Sequence, residues 1–297
     1  MKIPKFWYRR FYEGYTEHIQ IADRETEGFA LHPAFDRPGG AVECICIGSF
    51  RVSGKLPEFD NALAVSKTRA AMREDIRSNG KGWGILDAAS LSAIQMLLLV
   101  EYGSCDTQIA IGRGDVDKSS FSADKSRSWS SGWDKITKFS GTDLSSGVSH
   151  AVWRGFYGLW GNIREWIDGL NYKDGTYYVC SDPTLYADDT LAGYVPLDYK
   201  IDANLTDAYI THMGIEPDPQ YSHYLLPVLS CSGSSGSYYC DACTTGAGWR
   251  VPAIGCASDE KDKGGLFSIR FESSGTSNTK TGARAQYIPP VKQEVDK

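Results

Sequence analysis

The sequence predicts an α+β chain in which two helices near the front precede a loop-heavy, irregular β remainder. Three observations carry this. Two stretches, Ser66–Arg77 and Asp87–Tyr102, combine helix-forming residues with start and stop signals. Elsewhere, short runs of alternating or β-branched residues recur between Gly and Pro. The chain also holds 31 Gly and 12% aromatic residues, a combination that suits irregular backbone pinned by large side chains.

Residues 1 to about 50 read as strand-rich, with runs such as His18–Ile21 and Glu43–Gly48, and are expected to pack on the main domain. In Ser66–Arg77 (SKTRAAMREDIR), Ser66 is the expected N-cap and Asn79-Gly80 the stop. Its few apolar residues place it on the surface. Asp87–Tyr102 (DAASLSAIQMLLLVEY) is capped by Asp87, apolar around most of its circumference and ended by Gly103. Such a helix is enclosed by the rest of the domain. From Gly112 to His150, Ser, Gly, Asp and Lys dominate around Trp129 and Trp133, which reads as long surface loops. Strands are expected at Thr176–Cys180, Gly193–Leu197 and Phe267–Phe271, and residues 289–297 form a tail. No internal repeat is present. The domain reading is 1–50, 51–288 and the tail.

Composition excludes several function classes. Hydrophobic residues are 41% and charged residues 23%, as in a globular protein. A net charge of −6 opposes nucleic-acid binding, which needs a cationic footprint. The most apolar window, Leu91–Val100, is too short to span a bilayer, so no membrane contact is expected. The N-terminus shows no apolar signal-peptide core. Eight cysteines are few for a disulfide scaffold of this size and suit reduced thiols. Cys231, Cys240, Cys243 and Cys256 contain one CxxC pair, so a structural zinc stays open, although zinc knuckles come in pairs. A structural calcium at Asp182, Asp188 and Asp189 stays open too, without EF-hand spacing to support it. No dinucleotide loop, GxSxG elbow or histidine metal motif occurs.

The stretch Leu159–Gly169 (LWGNIREWIDG) resembles the GNVWEW signature of formylglycine-generating-enzyme-like domains, a large variant of the C-type lectin fold. Trp83-Gly84-Ile85-Leu86-Asp87 lies upstream where that family leads into its helix. Downstream come Gly248-Trp249-Arg250-Val251-Pro252, Gly264-Gly265-Leu266-Phe267 and Thr281-Gly282-Ala283-Arg284, the last similar to a closing GFR strand. The match covers about residues 40–287 in scattered motifs. With IPKFWY near the start and LLLVEYG in the helix, the set is similar to tail-associated and surface proteins of bacteriophages and gut bacteria, several of them diversified by retroelements.

The resemblance implies a non-catalytic receptor-binding protein with a variable ligand-contacting segment, here about 250–287. It implies a location in a phage tail (virion) or on a bacterial surface, after synthesis in a bacterial cytoplasm. The partner would be a bacterial surface protein or glycan, and the assembly a homo-oligomer such as a trimer. Enzymes of the family use two nearby cysteines that bind copper. Cys256 stands in the comparable segment, but Lys261 occupies the place of the second thiol, and soft Cu(I) wants thiolates. The alternatives are a metal-dependent oxidase or a structural virion protein of the same fold.

Strand Gly264–Glu272 alternates, with Phe267, Ile269 and Phe271 toward the core and Ser268, Arg270 and Glu272 outward. Polar loops flank it. The expected ligand-contacting set is therefore Ser258, Asp259, Glu260, Lys261, Asp262, Lys263, Ser268, Arg270, Glu272, Thr276, Asn278 and Lys280, with Tyr238, Tyr239 and Trp249 as aromatic anchors. The expected scaffold set is Trp160, Gly161, Asn162, Glu165, Trp166, Arg250, Gly264, Gly265, Phe267, Gly282 and Arg284. Leu159, Ile163 and Ile167 step by four, which predicts a short helical turn. Asn162 and Glu165 are expected to bond to backbone, because an unpaired buried polar group is costly.

Overall fold

A computed structural model describes residues 1–57, 62–123, 141–143, 150–228, 231–237 and 239–291. Trp129, Trp133 and Tyr238 lie outside the described residues. The architecture is mixed α+β, with few helices. Helix α1 spans Arg69–Arg77, α2 spans Ala88–Tyr102 and α3 spans Thr107–Ala110.

The α2 expectation holds in detail. The Asp87 carboxylate accepts from Ser90 N, and Gly103 closes the helix in the left-handed conformation. Ten of its residues are buried. For α1 two corrections are needed. Its N-cap is Thr68, whose hydroxyl accepts from Ala71 N, while Ser66 has φ 59° and stands outside the helix. Nor is α1 a surface helix: Arg69, Met72, Arg73 and Ile76 are buried. Arginine can be interior here because carboxylates meet it. Arg69 Nη2 and Arg73 Nη2 lie 2.7 and 2.6 Å from Asp188 Oδ1, and Arg73 Nη2 lies 2.6 Å from Asp168. Burial alone would raise the Asp188 pKa, but the two guanidiniums outweigh it and hold the carboxyl below its ordinary value.

A four-stranded sheet runs in the order Lys2–Pro4, Cys44–Ile47, Ala285–Tyr287, Trp83–Ile85. The first and last parts of the described chain thus share one sheet. The hairpin Trp7–Glu13/Thr16–Ala22 is tied to the body by Arg10 Nη1, which donates to the carbonyls of Ser222 and Tyr224. A nine-stranded mixed sheet holds most of the remainder. Its strands include Thr176–Val179, Val195–Lys200 and Ile269–Glu272, close to the expected positions. Phe267 falls just before its strand because its N–H is taken by the Asp241 carboxylate instead of the ladder.

The LWGNIREWIDG stretch is not helical. Gly161 and Asn162 have φ of 82° and 66°, outside the right-handed helical region, and Arg164–Trp166 forms a strand. That strand pairs antiparallel with Trp249–Ile254 and parallel with Thr281–Ala283, so it is buried on both sides. Apolar residues four apart imitate a helix when a strand is enclosed all round. A Cβ on Gly161 would lie 2.6 Å from Asp115 N, so close backbone approach requires glycine there.

Glu165 corrects a second expectation. Its carboxylate meets two guanidiniums rather than backbone: Arg284 Nη2 at 2.8 Å and Arg51 Nε at 2.8 Å. Arg284, fully buried, also donates to the carbonyls of Gly48, Ser49, Tyr157 and Gly158. Asn162 uses its backbone, donating to Asp115 O and accepting from Ser258 N. Trp160 and Trp166 are buried, their indole N–H groups donating to Arg113 O and Lys67 O. Two ion pairs on one carboxylate, with the Arg284 bonds to Gly48 and Ser49, therefore join the first fifty residues, the tryptophan stretch and the closing strand.

Candidate binding surface

Within segment 250–287, where the ligand-contacting surface is expected, residues 257–280 start from a turn that the interior fixes. The Asp241 carboxylate accepts from Phe267 N at 2.8 Å, and burial pushes its pKa well above the usual carboxylate range. A Cβ on Gly265 would sit 2.2 Å from Asp241 Oδ1, and one on Gly264 would sit 1.8 Å from Cys256 Sγ. Leu266 N donates to Thr107 Oγ1, and Gln95 Nε2 donates to Leu266 O, so α2 and α3 hold the turn from behind. Phe267 packs edge-on against Tyr239. The strand Ile269–Glu272 then pairs antiparallel with Trp249–Ile254 and parallel with Ala242–Thr244. Its alternation buries Ile269 and Phe271 and leaves Arg270 and Glu272 half-exposed.

A chain of opposite charges crosses this surface. Arg270 Nη2 lies 2.6 Å from Asp207 Oδ1, and Lys263 Nζ lies 2.7 Å from Asp207 Oδ2. Glu260 pairs with Arg164 and accepts from Ala257 N through its other oxygen. Lys280 pairs with Asp259 at 2.8 Å. Burial would raise the Asp207 pKa, but Lys263 and Arg270 outweigh it and hold the carboxyl below its ordinary value. Arg164, Asp207, Glu260, Lys263 and Arg270 surround one shallow depression. Such a network is a rigid relief of fixed charge, able to recognise a polar partner without reordering.

Three expected contact residues face inward instead. Ser258 is buried, its hydroxyl donating to Ser122 O and accepting from Ser122 N. Ser268 is buried because its hydroxyl reaches Ala242 O. Tyr239 is buried against Phe267 and bonds to Cys105. Trp249 is half-buried at the far end of its strand, between Tyr178 and Lys173. Exposure remains for Lys261 and, in part, for Asp262, Glu272, Thr276 and Asn278. In the scaffold set, Gly282 packs against Ala64 O and Ile163, and Arg250 lies half-buried beside Gly246. Arg164 and Asp207 are functional candidates that sequence reasoning missed. Arg164 stood inside the quoted motif, whereas nothing local marks Asp207.

The copper centre implied by the resemblance would rest on the Cys256 thiol. Cys256 is buried against Gly264, and burial raises its pKa, which opposes the thiolate that copper needs. The residues present do not fit that centre. Cys240 bonds to Ser237 O, while Cys231 and Cys243 contact each other, so the four cysteines considered for zinc do not converge. Asp182 accepts from Thr184 N and Oγ1, Asp188 meets two arginines and Asp189 bonds to Ser274, so each calcium candidate already has a protein partner. Among the described residues no group of three or more His, Cys, Asp or Glu could hold a metal ion, and no helix is long and apolar enough to cross a membrane. No protein-family model matches the chain, and no curated protein matches it.

Proposed function

We propose that the chain is a non-catalytic ligand-binding protein of the C-type lectin fold, in the formylglycine-generating-enzyme-like variant. It attaches to a bacterial surface protein or glycan through the relief built on residues 257–280. The reading places it in a phage tail or on a bacterial surface, in the class diversified by retroelements. One observation carries it: exposed or half-exposed polar side chains sit on a backbone that buried groups fix from behind. Scaffold and surface are thereby separated within one segment, as a replaceable binding face requires.

The encoding DNA tests this. A nearby adenine-substituted template repeat should match the codons of about residues 250–287, beside a reverse transcriptase gene. Substituted codons should fall on Lys261, Asp262, Glu272, Thr276 and Asn278 and spare Ser258, Gly265 and Ser268. A repeat whose substitutions fall on the buried set would contradict the assignment. Stoichiometric copper or iron in the purified protein would favour the oxidase instead.

A further inference from the structure

The hairpin Trp7–Glu13/Thr16–Ala22, the last turn of α2 and residues 211–213 enclose a second concavity, of about 610 Å³. That is within the ~300–1,000 Å³ range of small-ligand sites. Its residues are separate from those of the charged relief. Ile19, Leu99 and Met213 give it apolar walls, and Thr16, Ser104 and Thr211 add polar groups. Tyr12 and Tyr15 line it as well. Their exposures are 50% and 105%, and among the described residues no other Phe, Tyr or Trp is exposed; the exposed His212 lines the same cleft. An isolated exposed ring is ordinary, but two on one cleft offer two faces on which a ligand can stack.

Glu17 decides the ligand chemistry. Its Oε1 accepts from Arg10 Nε at 2.6 Å, and Arg10 is itself buried and fixed by two backbone carbonyls. The carboxylate is therefore held in place with its charge cancelled, yet it remains a hydrogen-bond acceptor. A cationic ligand would gain little from a neutralised acid, and an anion would meet a carboxylate. A purely apolar ligand would leave the polar groups unpaired. What fits is an uncharged molecule with a flat C–H face for the tyrosine rings and several hydroxyls for Glu17 and its neighbours. We propose that this cleft is a binding site for a neutral saccharide.

The test is saturation-transfer-difference NMR on the full chain. The panel contains glucose, galactose, N-acetylglucosamine, cellobiose and chitobiose, with tetramethylammonium as the cationic control. At least one sugar should receive transfer, and Tyr12→Ala and Tyr15→Ala should each weaken it at least tenfold. Both rings are exposed, so the melting temperature should stay unchanged. Lys261→Glu with Glu272→Lys, on the charged relief, should leave sugar binding intact, so this site and the relief can fail separately. No transfer to any sugar, undiminished transfer in both tyrosine variants, or binding of tetramethylammonium alone would overturn the assignment.

Discussion

Replacing Glu165 by alanine is the most informative perturbation of the scaffold. The carboxylate is 1% exposed and lies 2.8 Å from both Arg284 Nη2 and Arg51 Nε, which are buried in turn. Burial already lowers the Arg51 pKa, and the Glu165 charge is what favours its protonated form. Removing that carboxylate leaves two interior guanidiniums without a counter-ion, a change that costs about 3–5 kcal/mol. At roughly 2–4 °C per kcal/mol for a chain of this size, the melting temperature should fall by on the order of 10 °C. Urea unfolding at pH 7.5 measures the free-energy change directly, with the slope checked for two-state behaviour. Arg284→Met should cost at least as much, since it also strands the carbonyls of Gly48, Ser49, Tyr157 and Gly158. The double variant should lose less than the sum of the two, because each single change disables the same pair. A Glu165→Ala loss below about 1 kcal/mol, or simple additivity, would refute this pair as the joint between the three segments.

Other consequences follow from the same interior. His32 and His223 are buried with ring centroids 5.3 Å apart, and burial lowers both pKa values, that of His223 to about 3. The unfolded chain binds protons on both near pH ~6.5 while the native state does not. Their contribution is therefore present above ~6.5 and lost as pH falls toward 3, by up to about 1.4 kcal/mol per proton per pH unit. Urea midpoints should drop between pH 6.5 and 5 and drop less steeply in His223→Phe, where His32 alone still contributes; an unchanged midpoint over that window would contradict the burial of the pair. Gly265→Ala should destabilise by roughly 1–3 kcal/mol by driving a methyl into the Asp241 carboxylate, and Asp241→Ala should relieve part of that loss. Thermal melts of the two single variants and the double variant check both claims.

What the sequence disclosed follows the locality of the physics. Asp87, the apolar run after it and Gly103 are neighbours, so α2 could be read with its caps. The burial of α1 could not, because Arg69 and Arg73 are interior only through Asp168 and Asp188, about a hundred residues later. LWGNIREWIDG misled for a different reason. Its four-residue apolar spacing comes from a strand enclosed between two others, and only the positive φ angles at Gly161 and Asn162 exclude a helix. In the candidate surface, alternation correctly paired Arg270 and Glu272 on one side of a strand. It could not show that Ser268 turns to Ala242 O, or that Asp207 gathers Lys263 and Arg270 from sixty residues away.

If one segment combines a fixed interior with a replaceable binding face, randomising the two sets of positions separately will distinguish them. Lys261, Asp262, Glu272, Thr276 and Asn278 would be randomised in one pool, and the buried Ser258, Gly265 and Ser268 in another. Each pool is scored for proteolytic stability and for attachment to a panel of bacterial cells. The first pool should keep its stability while changing which cells it binds, and the second should lose stability. Equal loss of stability in both pools, or a first pool whose attachment never changes, would contradict this.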